Sequence, residues 1–420
     1  MKRLFEIPYS FSLLAILFFS LLVRFFQLGQ PADYVFDERY HLPAVRLIAE
    51  NDPRAFEWWH PPIYGVSNHD WLHPPLAKYI QATVYKLGHG SVESWRLGSV
   101  IFGLGGIVLT YVLGSLVFNN RLVGILSALI LSLDGLWLVQ SRVGMNDVFV
   151  TVWLLLAAIV YVKLKKKTNS SLLLLVGIFL GIGIATKWTA MFWLVGILSY
   201  ELVNVWRKKT WRLIPWQVFC LLAVPIFIYL LSYLPMFIQG KDFSYFLELH
   251  KNIWWYQTHR ESLHLFQSIP AQWINNTGVV WYWHGSNYEN IYAFNNPLLV
   301  VLENIALLVT IYAIARKNVN HQYLSLLLFF YAMSFVLWVF SPRILFYYHY
   351  TPALPFLAII LGYWLKKIYF SNVEVKKSLL FLFTIVCLVF VFWLYYPAWI
   401  GFPVSKDLQD TVYYFLPGQI

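Results

Sequence analysis

Residues 163–209 read KLKKKTNSSLLLLVGIFLGIGIATKWTAMFWLVGILSYELVNVWRKK. Two apolar stretches, 171–187 and 188–206, lie back to back between lysine-rich ends, with one lysine, Lys187, at the turn joining them. A helix needs roughly 20 mostly apolar residues to cross a bilayer, and Lys and Arg gather in short loops on the cytoplasmic side. The segment therefore reads as a membrane hairpin with both ends inside and Lys187 outside. Working outward with the same ruler gives spans near 8–28, 95–118, 122–141, 146–163, 212–238, 297–315, 322–340, 344–365 and 378–396 as well. The expected fold class is an all-α polytopic membrane protein of about eleven transmembrane helices with two long outside loops. The first run is too long for a signal-peptide core and is expected to be a retained helix.

Composition agrees. Of 420 residues 59% are hydrophobic and only 12% charged, too few charges to cover a soluble surface. The net charge of +11 lies in short clusters between apolar runs, which excludes a basic groove for nucleic acid. With the N-terminus inside, the inner segments hold Lys2-Arg3, Arg121, Lys163, Lys165 to Lys167, Arg207 to Lys209, Arg212, Arg316-Lys317, Lys366-Lys367 and Lys376-Lys377. That is 17 of the 31 basic residues, all in short loops. The chain reads as a single membrane domain, 1–420, in the cell membrane, whose outside loops are 29–94 and 239–296. A short apolar stretch at 74–88, opened by Pro74-Pro75, reads as an interfacial helix. Cys220 and Cys387 sit in apolar runs without metal-ligand spacing and read as packing.

Long loops without transmembrane character usually carry function. The first holds Asp37-Glu38, where the outer edge of the first span leaves the membrane. A carboxylate pair at such a boundary suits a general base, Asp37, with Glu38 orienting it or meeting an acceptor. His73 and Lys78 flank the two prolines and can reach an anionic headgroup. Arg142, Lys187 and Arg343 all fall in short outer turns, where the charge rule disfavours cations. Three on one face opposite an acidic loop suit an anionic substrate such as a phosphate. Arg343 leads into Phe346-Tyr347-Tyr348-His349-Tyr350, in which Tyr348 and His349 are candidate substrate contacts. His259 follows the aromatic Trp254-Trp255-Tyr256 of the second loop. An aromatic belt, or a cap lying on membrane lipids, explains most of these rings equally well. The histidines His41, His60, His69 and His73 lack a metal-ligand spacing, so no metal residues are assigned; no cofactor is required, although a divalent metal is compatible.

These pieces form an ordered set. Phe36-Asp37-Glu38, His73-Pro74-Pro75-Leu76-Ala77-Lys78, Trp95-Arg96-Leu97-Gly98-Ser99, Ser141-Arg142 with Asp147, Ala185-Thr186-Lys187-Trp188, Asn296-Pro297, and the run from Arg343 to Pro355 span nearly the whole chain. Together they resemble the protein O-mannosyltransferase family, GT-C type membrane glycosyltransferases that use a polyprenyl-phosphate sugar donor. The resemblance implies Asp37 as catalytic carboxylate with Glu38 beside it, Arg142 as a residue needed for function, and Arg343 near the donor phosphate. Lys187 and Lys78 join Arg142 and Arg343 as candidate phosphate ligands on the charge argument above. Eukaryotic members place a histidine where Tyr40 stands, with His41 one residue late. The second loop, at about 58 residues, also lacks their soluble lumenal domain, so a minimal bacterial-type member is the better match.

The expected function is transfer of a sugar, mannose first, from a polyprenyl-phosphate donor to a protein Ser/Thr hydroxyl on the non-cytoplasmic face. Two alternatives remain: the same donor with a lipid or cell-envelope polymer as acceptor, and a transporter of a lipid-linked substrate. A transporter calls for charged or broken helices at the bilayer midplane, and here most spans have uncharged centres, with Asp134 in the third the main exception and Glu303 in the eighth.

Overall fold

The computed structural model describes residues 9–59, 69–167, 170–259, 263–286, 288–317, 321–370, 375–413 and 415–416. His60 therefore lies outside the described residues. Each of the eleven apolar stretches is helical: α1 (Tyr9–Phe25), then, after the first-loop helices α2 (Glu38–Ala49) and α3 (Leu76–Leu87), α4 (Val92–Phe118), α5 (Arg121–Ser132) with α6 (Gly135–Gln140), α7 (Asp147–Lys167), α8 (Leu172–Thr186), α9 (Ala190–Lys208) and α10 (Trp211–Ser232). After the second long loop come α11 (Pro297–Ala315), α12 (His321–Phe340), α13 (Leu354–Tyr369) and α14 (Val375–Ile400). Among the described residues six of these helices are long and apolar enough to cross a membrane, and three more are shorter apolar helices. The chain is a multi-pass membrane protein.

Three interruptions have local causes. The stretch 122–141, expected as one helix, breaks at Leu133, and Asp134 restarts it by accepting the Trp137 amide at 2.6 Å. Asp134 is thus an N-cap inside the bundle, which gives a structural reason for a charge in that span. In α10 a π turn at Phe219–Ala223 runs up to Pro225, whose ring cannot sit against the carbonyl four residues back in a regular helix. Ahead of α13, Tyr347–Ala353 forms a 3-10 turn that contains Pro352, and Pro355 sits in the first turn of α13, where its missing N–H costs nothing.

α7 is the most buried of the six, packed by α8, α4 and the 3-10 turn, while α14 is the most peripheral. It turns Leu379, Leu382, Phe383, Val386 and Phe390 outward, as lipid-facing helices do. In the second long loop a helix (Phe243–His259) precedes a two-stranded antiparallel hairpin, β1 (Val280–His284) and β2 (Asn290–Ala293), with a bulge at Trp281/Trp283. The N-termini of α2 and α7, the C-terminus of α8, the 3-10 turn and β1 meet at one end of the bundle.

Candidate active site

Asp37 is the N-cap of α2, yet its carboxylate makes no capping bond. It accepts instead from the Tyr348 hydroxyl at 3.3 Å. Phe36, just before it, has φ of 51°, a left-handed conformation unusual for a bulky residue. Its surroundings hold it there. The ring stacks on Tyr282 at 4.5 Å and meets Phe346 edge-on at 5.7 Å, and its amide donates to the Tyr282 carbonyl. Such strain, worth about 1–3 kcal/mol, persists where neighbours over-determine it and is a mark of functional loops. Burial pushes the Asp37 carboxyl above the ordinary carboxylate range, while His41, Lys187 and the Tyr348 hydroxyl pull it back.

Around Asp37 the structure gathers Lys187, Tyr348, His41 and Arg343. The Lys187 ammonium lies 5.2 Å from the centre of the Tyr348 ring and donates to Asp147 Oδ1 at 2.7 Å. Arg343 donates to the neutral amide of Gln257 and is close enough to Asp37 for the two charges to act on one another. His41, one turn after Asp37 on the same helix face, bonds through Nδ1 to Asp70 at 2.9 Å.

Several residues depart from their expected roles. Glu38 is fully buried, and its carboxylate accepts from the Val35 and Gly144 amides, the Trp95 indole and the Arg96 guanidinium, all at 2.8 to 3.2 Å. Both of its oxygens are taken by protein donors, which makes it a structural anchor. Arg142, expected at the phosphate, donates instead to the carbonyls of Val23, Arg24, Phe26 and Gln27, tying down the C-terminal end of α1. Lys78 is likewise engaged: its three N–H groups meet the Asp70 carbonyl, the His73 carbonyl and the Asp70 carboxylate. His259 is exposed at the end of its helix, stacked on Trp255 and apart from the cluster. His349 is buried between Trp338 and Tyr348, with Nδ1 turned back to the Phe346 backbone, so it shapes the turn that carries Tyr348.

His73 donates to Asp70 Oδ1 from Nδ1 at 2.9 Å. Burial lowers its pKa to about 4, so near neutrality this is a bond from a neutral imidazole. Burial would push the Asp70 carboxyl up, but His73, Lys78 and His41 outweigh it and hold the group well below the usual range. His41, Asp70 and His73 bring three ligand atoms within 4.8 Å of one another. As folded they do not fit a divalent metal, because Asp70 already accepts from two backbone amides, two imidazoles and Lys78. A cation would have to displace the lysine and then face its charge. Asp70 and Arg96 escaped the sequence reading as site-builders. The signal for Asp70 was its place three residues before His73, and for Arg96 a cation in the first turn of an apolar helix.

Residues 14–239 match the family described as dolichyl-phosphate-mannose-protein mannosyltransferase, and residues 242–414 match the C-terminal four-helix membrane region of protein O-mannosyltransferases. The second match covers α11 to α14. The chain is 23% identical over 324 residues to a polyprenol-phosphate-mannose–protein mannosyltransferase of Corynebacterium glutamicum, covering 66% of this chain and 59% of that protein. It is 24% identical over 254 residues to the protein of the same name from Mycolicibacterium smegmatis, covering 51% of this chain and 48% of that one. The chain thus spans about half to three-fifths of these relatives. In fold it is similar to the Saccharomyces cerevisiae protein O-mannosyltransferase Pmt1-Pmt2 complex bound to the sugar donor, with a TM-score of 0.79 at 14% identity over 96% of this chain and 91% of that one. It is also similar to ArnT from Cupriavidus metallidurans bound to undecaprenyl phosphate, with a TM-score of 0.58 at 14% identity over 96% of this chain and 77% of that one. With both halves of the sequence matched and the acidic loop set against the aromatic turn, the chain belongs to the dolichyl-phosphate-mannose-protein mannosyltransferase family.

Proposed function

We propose that this protein transfers mannose from a polyprenyl-phosphate donor to a Ser or Thr hydroxyl of a protein acceptor. One observation carries the reading. Of the four acids gathered at the site, Glu38 is paired with Arg96, Asp70 with Lys78 and Asp147 with Lys187, while Asp37 alone has no cation in contact among the described residues. A carboxylate left unpaired at a cluster of cations is the group free to take a proton. In the step, Asp37 accepts the hydroxyl proton as that oxygen bonds to the anomeric carbon. The bond from that carbon to the phosphate oxygen breaks, and the polyprenyl phosphate leaves with one more negative charge. A guanidinium beside the departing phosphate would stabilise that charge more in the transition state than before it, and we assign this role to Arg343, whose charge acts on Asp37.

The site belongs on the non-cytoplasmic face of the cell membrane. Asp147 begins α7 at the site, and Lys163, Lys165 and Lys166 end it. Lys187 follows α8 at the site, and Arg207 and Lys208 end α9 at the far side. The far end of the bundle thus carries the basic clusters.

The test is transfer by the purified protein in detergent from polyprenyl-phosphate-mannose to a Ser/Thr peptide and, in parallel, to lipid acceptors. Labelled peptide is expected, with Asp37→Asn slower by roughly 100- to 10,000-fold and still folded. Sugar on lipid alone would overturn the acceptor, and no turnover of the donor by folded protein would overturn the enzyme reading.

A further inference from the structure

The Lys187–Asp147 pair presents a mismatch that phosphate binding leaves unexplained. Asp147 is 2% exposed, and only one of its carboxylate oxygens is used: Oδ1 takes the Lys187 ammonium at 2.7 Å. Oδ2 is buried and has no hydrogen-bond partner among the described residues. The preceding residue, Asn146, is 1% exposed and has no partner on either its amide oxygen or its amide nitrogen. Buried polar atoms are nearly always matched, and an unmatched carboxylate oxygen is among the costliest exceptions, so this one, with both ends of Asn146 beside it, calls for a partner that the fold itself does not supply.

The chemistry of the pair restricts that ligand. An ionised carboxylate only accepts hydrogen bonds, and it repels phosphate. Asp147 also cancels the charge on Lys187, so the pair offers a phosphate little net attraction. Arg343, whose partner is a neutral amide, keeps its full charge. A donor and an acceptor side by side, next to an amide that is both, match neighbouring hydroxyls on a ring, each of which donates and accepts. The pair also lies in the right place. Lys187 sits on the Tyr348 ring, the Tyr348 hydroxyl touches Asp37, and the Asp147 charge reaches both Tyr348 and Tyr282.

We infer that Asp147 and Lys187, with Asn146 beside them, form the subsite that reads the hydroxyls of the donor's sugar, and that Arg343 holds the phosphate. This rests on the sugar-transfer reading for the class of donor. It moves Lys187 from the phosphate to the sugar and makes Asp147 a specificity residue.

Binding of polyprenyl phosphate, polyprenyl-phosphate-mannose and polyprenyl-phosphate-glucose to the purified full chain separates the two roles. In the wild type the mannosyl lipid should bind more tightly than the bare lipid. Asp147→Asn should weaken the mannosyl lipid relative to the bare lipid by roughly 10- to 150-fold, the worth of a hydrogen bond to a charged group, while the bare lipid, facing a Lys187 no longer neutralised, binds at least as tightly as before. It should also narrow the gap between the mannosyl and glucosyl lipids. Arg343→Lys should weaken all three alike. If Asp147→Asn does not fold, Asn146→Ala, which leaves the ion pair intact, should give a smaller loss confined to the sugar-bearing lipids. An equal change for bare and sugar-bearing lipid, or no change for either, overturns the subsite. So does a wild type that binds bare and mannosyl lipid alike, even if it transfers mannose. A wild type that favours the mannosyl lipid through Asp147 but never labels a peptide upholds the subsite and defeats the transfer reading instead.

Discussion

Glu38→Gln should separate the two members of the acidic pair. The glutamate takes donors on both oxygens: Oε1 from Trp95, Gly144 and the Arg96 Nε, and Oε2 from Val35 and the Arg96 Nη2. An amide has one oxygen and one NH2. In its better orientation it keeps the three Oε1 partners and turns an NH2 toward two buried donors, one of them a guanidinium. The Arg96 side chain is 2% exposed, and its remaining contacts are the neutral carbonyls of Leu28, Pro31 and Asp33. Removing one member of such a buried pair costs about 3–5 kcal/mol. That is a large share of the total for a folded domain, about 5–15 kcal/mol. Thermal unfolding of the detergent-purified protein, followed by tryptophan fluorescence, should show Glu38→Gln melting well below the wild type. Asp37→Asn, which loses only a long bond from Tyr348, should melt near it. Turnover by Glu38→Gln at low temperature should follow the folded fraction. If Glu38→Gln melts like the wild type and has nonetheless lost turnover, Glu38 acts in the chemistry and the anchoring argument is wrong.

Because Asp37 must be ionised to accept a proton, turnover should rise with pH through its raised pKa, an acid limb above that of an ordinary carboxylate. Lys187 pulls that pKa down, so Lys187→Met should move the limb of kcat to higher pH whatever it does to the rate itself; an unmoved limb would remove Asp37 or its coupling to Lys187. With Cys220 and Cys387 replaced by serine, a cysteine at exposed Arg39 should react with a membrane-impermeant maleimide in intact cells and one at exposed Lys209 should not. The reverse pattern would put the site on the cytoplasmic side.

Helices were easy to read from sequence because each is an apolar run of near-bilayer length, and lipid selects for just that property. Of the candidate site, Asp37, Lys187, Tyr348 and Arg343 do come together. Arg142 is engaged elsewhere in the structure, and a cation in an outer turn looks the same in sequence whether it faces a phosphate or a row of helix-end carbonyls. Which one it meets depends on where α1 ends, and sequence spacing does not encode that. Glu38 was misread for a related reason. Adjacent residues at a helix start point about 100° apart, so one member of the pair faces the site and the other faces Arg96, 58 residues on. Asp147 was noticed only as part of a motif, since an unmatched oxygen becomes visible once its neighbours are placed.

The stacking of Phe36 on Tyr282 has a consequence for biosynthesis. The two residues are 246 positions apart, and the backbone bond between them joins the loop after the first helix to the hairpin of the second long loop. At ribosomal speeds of about 5–20 residues per second, the acidic loop waits roughly 12 to 50 s after its own synthesis before the strand that fixes its conformation exists. Until then nothing holds Phe36 in its strained geometry or aims Asp37. A nascent chain inserted as far as α10 therefore carries Asp37 without its setting, and the proposed site is complete only when the second half of the chain has entered the membrane.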